Sequence, residues 1–176
     1  MAGALTLTAC GSSGGSGNHS STAAGGGGNS TATVQVRTVA GHAGVLVDGS
    51  GRTLYVSDQE NGMVLCKTSA CTAVWVPLTL PAGSTPTGPS QVAGKLSTMP
   101  RAGGKSQVVF DGRPLYTFAF DHGAGKLDGN GQHDSFGGTS FSWHTATVSG
   151  PMAGAPSTSS APSTSGGGYG GGGGGY

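Results

Sequence analysis

The sequence predicts an all-β fold. Its expected form is an antiparallel sandwich or small barrel, built from two hairpin repeats with pseudo-twofold symmetry and flanked by disordered termini. Three observations carry this expectation. A stretch beginning at Val45 recurs at Val108 with Asp-Gly turns in both copies. Apolar residues alternate with a period of two, and no window sustains the 3.6-residue period of a helix. The 37 glycines crowd residues 11–28 and 166–175, where Ser and Thr accompany them, and such segments bury too little apolar surface to offset the entropy of ordering.

The first element is a strand over Thr33–Val39, with Val34 and Val36 on one face. The repeat follows. The run from Val45 reads Val-Leu-Val-Asp-Gly-Ser-Gly-Arg-Thr-Leu-Tyr55, and an acid, Glu60, comes five residues after the tyrosine. The run from Val108 reads Val-Val-Phe-Asp-Gly-Arg-Pro-Leu-Tyr116, and Asp121 comes five residues later. Arg52, Leu54, Tyr55 and Glu60 align with Arg113, Leu115, Tyr116 and Asp121 at a constant offset of 61, and only the turn differs. Asp48-Gly49 and Asp111-Gly112 between alternating apolar runs are hairpin signals. Pro114 sits just after its turn, where a strand can start without that N–H. Tyr116, Phe118 and Phe120 are placed on one face of a strand, with Leu115, Thr117 and Ala119 on the other. Trp143–Val148 reads as a closing strand. Single helical turns are expected near Thr68–Val74 and Gly94–Met99, and long loops over Thr79–Ser90 and His122–Thr139.

Residues 34–150 thus form one domain of modest core, with repeats at about 45–80 and 106–148. With 9% charged residues and a net charge of +1, the chain as a whole has no electrostatic footprint for nucleic acid or for an anionic membrane. No run of 18 apolar residues reads as a membrane-crossing helix.

Residues 7–11, Leu-Thr-Ala-Cys-Gly, have the lipobox pattern, in which small residues admit the chain to a peptidase and the cysteine thiol accepts a diacylglyceryl group. Cys10 is therefore the expected membrane anchor, because two or more acyl chains hold a protein stably where one does not. Residues 1–9 read as a signal peptide, yet they lack the basic n-region and full apolar core such a peptide needs. The expectation is that the natural start lies upstream of Met1. Residues 10–33 form a Gly/Ser tether spanning about 25 Å as a flexible coil. Residues 151–176 read as a low-complexity tail whose Ser/Thr-Pro part is a candidate for glycosylation.

Lipidation of Cys10 leaves Cys66 and Cys71 as a pair outside the reducing cytosol, and one short-loop disulfide is the natural inference. A zinc site would need two further ligands, and no second Cys pair exists. The polar density lies in the loop 121–134. Asp121, His122, Asp128, His133 and Asp134 are the speculative metal ligands there. Asp128-x-Asn130-x-Gln132-x-Asp134 hints at oxygen ligation, but His133 and Thr139 stand where an EF-hand requires Gly and Glu. His122, His133 and His144, with Met63 or Met99 as a soft ligand, fit no defended spacing. Tyr116 and Asp121 are a candidate site, weighed against a turn in which Asp121 accepts loop N–H bonds. Arg52 or Arg113 is a candidate partner for an acid across the repeat. Trp75, Trp143 and the two tyrosines read as core rather than as a ligand groove. No Gly-x-Ser-x-Gly lies between a strand and a helix, and no Gly-rich run precedes a helix with Lys-Ser/Thr.

Tyr116-Thr-Phe118-Ala-Phe-Asp121 resembles the Tyr-x-aromatic-x-x-Asp motif of the bacterial secreted-repeat lipoproteins of unknown function. The first copy departs from it, with Ser57 at the aromatic position and Glu60 at the acid. Gly-Arg-Thr-Leu-Tyr55, Cys66 and Cys71 followed by Trp75 and Pro77, Pro114-Leu-Tyr116, and Gly129-Asn-Gly-Gln132 before Trp143 are similar to that family too, over about residues 40–150. The resemblance implies a lipid-anchored envelope protein on the outer face of the membrane and implies no activity. The expected function is a non-catalytic binding or structural module with no cofactor, no nucleic acid and an unidentified envelope partner. The alternative is an envelope metal-binding or redox-associated protein using the loop 121–134.

Overall fold

The computed structural model describes residues 32–154. The expected Cys10 anchor, the signal segment, most of the tether and the tail beyond residue 154 lie outside the described residues. The elements are β1 (Val34–Val39), β2 (His42–Asp48), β3 (Tyr55–Ser57), α1 (Ser69–Val74), β4 (Trp75–Pro77), β5 (Thr79–Pro81), α2 (Ser90–Ala93), β6 (Leu96–Arg101), β7 (Lys105–Phe110), β8 (Arg113–Pro114), β9 (Tyr116–Phe118), β10 (His133–Phe136), β11 (Thr139–Thr147) and β12 (Gly150–Pro151). One sheet runs β1-β2-β11-β3-β9-β4, with β10 and β12 also paired to β11. The other runs β5-β7-β6, with β8 on β7. Every pairing is antiparallel and no barrel closes, so the sandwich is the form adopted.

Pseudo-twofold symmetry organises the whole domain. Tyr55 pairs directly with Tyr116 where β3 meets β9. On the far side of each strand lies a tryptophan strand: Trp75 opposite Phe118 and Trp143 opposite Ser57. The β1–β2 hairpin of the first copy corresponds to the β6–β7 hairpin of the second. The repeat seen in the sequence is therefore the best-preserved part of a larger one, which begins at Val34 and again at Leu96. The final strand of each copy differs. In the second it is β11, unbroken over nine residues. In the first it is split into β4 and β5, with Pro77 ending one piece and Pro81 the other.

The turns follow from their glycines. At the second hairpin Asp111 has φ 50° and Gly112 φ 78°, the paired left-handed conformation that a two-residue hairpin requires. The first turn is longer by two residues. Asp48 Oδ1 accepts from the amides of Ser50 and Arg52 at 2.9 Å each, an Asx-turn that replaces the tight hairpin.

Alternation along β3 and β9 divides the core in two. Leu54, Val56 and Leu115 face an aliphatic cluster with Val34, Leu46, Val108, Phe110 and Ala146, sealed by Val92 of α2. Tyr55, Tyr116 and Phe118 face an aromatic cluster with Trp75, Trp143, Phe141 and the disulfide. Trp75 and Trp143 stack at 4.0 Å with planes 12° apart. Tyr55 meets Trp75 edge-on at 5.6 Å and Tyr116 meets Trp143 edge-on at 5.2 Å, the same contact in each copy.

Three sequence expectations need correction. The second helical turn is at Ser90–Ala93, and residues 96–101 are a strand, because Leu96–Arg101 completes the β6–β7 hairpin. The two long loops each contain a strand, β5 in the first and β10 in the second. The strand through Tyr116 stops at Phe118. Asp121 N donates to Phe118 O at 3.2 Å, which turns the chain and leaves Phe120 exposed instead of on the strand face.

Candidate functional site

The motif tyrosines and acids meet across the symmetry axis, not within a copy. Tyr55 Oη donates to Asp121 Oδ2 at 2.6 Å, and Tyr116 Oη donates to Glu60 Oε1 at 2.9 Å. All four residues are buried. The turn explains the exchange. Each acid follows a chain reversal, Glu60 N to Ser57 O at 3.3 Å in the first copy and Asp121 N to Phe118 O at 3.2 Å in the second. The reversal carries the acid off its own strand and over the tyrosine of the neighbouring one. Tyr116 and Asp121, a candidate site from sequence, therefore do not bond to each other.

The arginines obey the same exchange. Arg52 donates to Phe118 O at 3.4 Å and Arg113 to Ser57 O at 3.1 Å, each reaching the turn of the other copy. Arg113 also lies 3.6 Å from Asp58, the cross-repeat pairing with an acid expected of Arg52 or Arg113. Arg52 makes no such pair among the described residues and bonds to a carbonyl.

Each acid also ties down its own loop. Glu60 Oε1 accepts from the amides of Leu65 at 2.6 Å and Cys66 at 2.8 Å. Asp121 Oδ1 accepts from the amide of Asp128 at 3.1 Å, the loop contact expected of it. Gly129 N donates to Tyr55 Oη at 3.3 Å. A side chain at 129 would place its Cβ 2.9 Å from the Tyr55 ring and 3.0 Å from Trp75, so glycine is what lets this loop close over the aromatics.

Electrostatics make these hydroxyls proton holders. Burial first, then the bond and charge of Asp121, push the Tyr55 hydroxyl far above the usual phenol range. Burial and the Glu60 charge do the same to Tyr116. Burial raises the Asp121 carboxyl against the opposing pull of the Tyr55 and Asp128 bonds. A general acid or base at neutral pH needs a pKa near the working pH, and these tyrosines are moved away from it.

Phe118 stacks on Trp75 at 4.5 Å. Cys66 and Cys71 form the inferred disulfide, fully buried, with Cα atoms 5.6 Å apart. Thr68 caps α1 inside it, its Oγ1 accepting from Cys71 N at 3.2 Å. The speculative metal ligands are spread out. Asp121 is held by Tyr55, Asp134 Oδ2 accepts from Trp75 Nε1 at 2.8 Å, and His133 Nδ1 lies 3.2 Å from Ser142 Oγ. His122 and Asp128 are exposed. His144 contacts Asp58 at 2.9 Å and the Met152 carbonyl at 3.1 Å. Among the described residues, no group of three or more His, Cys, Asp or Glu lies close enough to hold a metal ion.

The sequence did not single out Arg101, Gln107 or Asp58. Gln107 is buried on β7, bonding Leu115 O at 2.9 Å and receiving Arg101 at 2.5 Å. Only a long polar residue inside an apolar strand, Gln107 before Val108-Val-Phe110, signalled it.

Residues 97–147 match a family described as a secreted repeat of unknown function. The match spans β6 to β11, the second copy of the internal repeat, and agrees with the resemblance carried by Tyr116, Phe118 and Asp121. A secreted repeat is extracytoplasmic, and no helix of the described residues is long and apolar enough to cross a membrane. No curated protein and no solved structure matches the chain.

Proposed function

We propose that this chain is a non-catalytic binding or structural module of the cell envelope, held at the outer face of the membrane by lipid on Cys10. The observation that carries the non-catalytic reading is the crossed network. Tyr55, Tyr116, Glu60 and Asp121 are the motif's polar side chains, and all are buried and bonded to one another or to loop amides. They are committed to joining the copies and offer no exposed acid, base or nucleophile. The anchor reading is supported by the lipobox at residues 7–11 and by a buried disulfide suited to an oxidising compartment.

Metabolic labelling with a radioactive fatty acid, with mass spectrometry of the Cys10 peptide, tests the anchor. The expected result is acylated Cys10 in the membrane fraction and release of the Cys10→Ser chain. An unmodified Cys10 in the mature protein would remove the anchor from this reading. Retention of whatever binding is found in a Tyr116→Phe variant that remains folded supports a structural motif. Loss of that binding without loss of stability would return the motif to the functional surface.

A further inference from the structure

We propose that the cleft between the β6–β7 hairpin and the disulfide loop is an oxyanion site that receives a phosphate group. The cleft encloses about 350 Å³ and is lined by Val64, Lys67, Pro100, Arg101 and Ala102. Lys105 lies directly opposite Arg101 in the hairpin register. Three cations thus gather at one corner of a chain that has only eight. Like charges opposite each other on a hairpin repel, so a bound anion would relieve a cost the fold otherwise carries.

Five of the chain's seven acids are engaged elsewhere. Asp48 holds its own turn, Asp58 takes Arg113 and His144, Glu60 takes Tyr116, Asp121 takes Tyr55 and Asp134 takes Trp75. Among the described residues, none forms an ion pair with Lys67, Arg101 or Lys105. Arg101 is nonetheless held in place. One nitrogen donates to Gln107 Oε1 at 2.5 Å and the other to Cys66 O at 2.9 Å, so the disulfide loop and β7 both orient it. A guanidinium has five N–H donors, and these two bonds leave others for a ligand. A guanidinium held in place, with exposed Lys67 in the same lining and exposed Lys105 across the hairpin, suits a tetrahedral, multiply charged oxyanion better than a single planar carboxylate.

The pseudo-equivalent cleft of the first copy is the internal control. It encloses about 300 Å³ and includes Arg37, Gly51 and Gly125 in its lining. There Arg37 turns its fork onto Gln35 Oε1, through Nε at 3.2 Å and a terminal nitrogen at 2.6 Å. Arg37 is the one cation in that lining, whereas the cleft of the second copy sets Arg101 beside Lys67.

This inference rests on the binding-module reading but not on the anchor. The test therefore uses the full, oxidised chain carrying Cys10→Ser, followed by NMR during titration with inorganic phosphate at constant ionic strength. Saturable shifts at the Val64–Lys67 and Arg101–Ala102 amides are expected. Lys67→Gln and Lys105→Gln, both at exposed positions, should each weaken binding by roughly tenfold, the size of one charge-assisted bond. Arg37→Gln should leave it unchanged. Two further arms separate the sources: phosphatidylglycerol vesicles for a lipid headgroup, and soluble glycerol phosphate for a free or polymer-borne phosphate. Tighter binding on either supports the site and names the source. Absence of saturable shifts in all arms, or shifts indifferent to both lysine variants, would overturn the proposal while leaving Cys10 acylation a separate question.

Discussion

In the first copy of the repeat, the loop from β3 to β4 is closed by a disulfide, a six-residue helix and a glutamate that accepts three donors. In the second, the path from tyrosine to tryptophan, Tyr116 to Trp143, is seven residues longer than Tyr55 to Trp75 and contains no cysteine. Hydrogen bonds take the disulfide's place: Asp128 N to Asp121, Gln132 Nε2 to Asp128 O, and Thr145 N to Asn130 Oδ1. Both loops nevertheless deliver an acid to the tyrosine of the other copy. The shared requirement is the position of that carboxylate over the axis, and each loop chemistry is a separate solution to it. Glutamate suits the short cross-linked loop because its longer arm reaches two amides and a hydroxyl at once. Aspartate suffices where the loop itself can be laid down to meet it.

The comparison can be broken most severely at the tryptophan stack, where the copies touch through identical residues. Trp75→Ala and Trp143→Ala should each cost about 3–5 kcal/mol by urea denaturation, the range for large aromatic truncation in a core. The copies differ in one respect that sharpens the test. Trp75 Nε1 bonds Asp134 at 2.8 Å, whereas Trp143 Nε1 is buried without a partner. Trp75→Phe should therefore cost more than Trp143→Phe, by about 1–3 kcal/mol for the stranded Asp134 bond.

Removing the cross-link comes next in size. A disulfide closing so short a loop contributes about 2 kcal/mol in the chain-entropy treatment. Replacing both Cys66 and Cys71 with serine should lower stability by that amount. It should also raise hydrogen exchange in residues 60–74 while leaving residues 121–134 protected. Equal deprotection of both loops would mean that the second depends on the first.

A smaller effect is expected with pH. The Tyr55 and Tyr116 hydroxyls are raised above 10.0 in the fold, so the folded chain holds protons that the unfolded chain releases above pH 10. Their stabilisation is complete below pH 10 and is lost as pH rises beyond it. A limb of the same sign at acid pH belongs to Asp121, raised above 3.8 by burial. Stability should fall as pH rises from 3.8 through its folded value, and Asp121→Asn should flatten that slope. Denaturation across pH 3–11 checks both.

The sequence made the symmetric heart legible because the two copies share Arg, Leu, Tyr and an acid at one offset. It concealed the outer hairpins, since β1 and β6 share almost no residue identities and correspond only in position. The crossing of tyrosine to acid was hidden for a geometric reason. A motif read along one copy invites a contact within that copy, and Tyr116 and Asp121 are five residues apart. Only the turn after Phe118, fixed by backbone bonds, sends Asp121 to Tyr55. Phe120 misled for the same reason: its alternation with Phe118 continues past the point where the strand has ended. The cationic corner was hidden because the disulfide loop that carries Lys67 meets the Arg101–Lys105 hairpin only through the fold, where Arg101 bonds Cys66 O.

The crossed exchange is tested most directly by double-mutant cycles. Tyr55→Phe with Asp121→Asn, and Tyr116→Phe with Glu60→Gln, should show coupling of about 1 kcal/mol or more. The same-copy pairs, Tyr55→Phe with Glu60→Gln and Tyr116→Phe with Asp121→Asn, should be additive within about 0.5 kcal/mol. Strong coupling in the same-copy pairs, with additivity in the crossed ones, would contradict the exchange and return the motif to a site formed within each repeat.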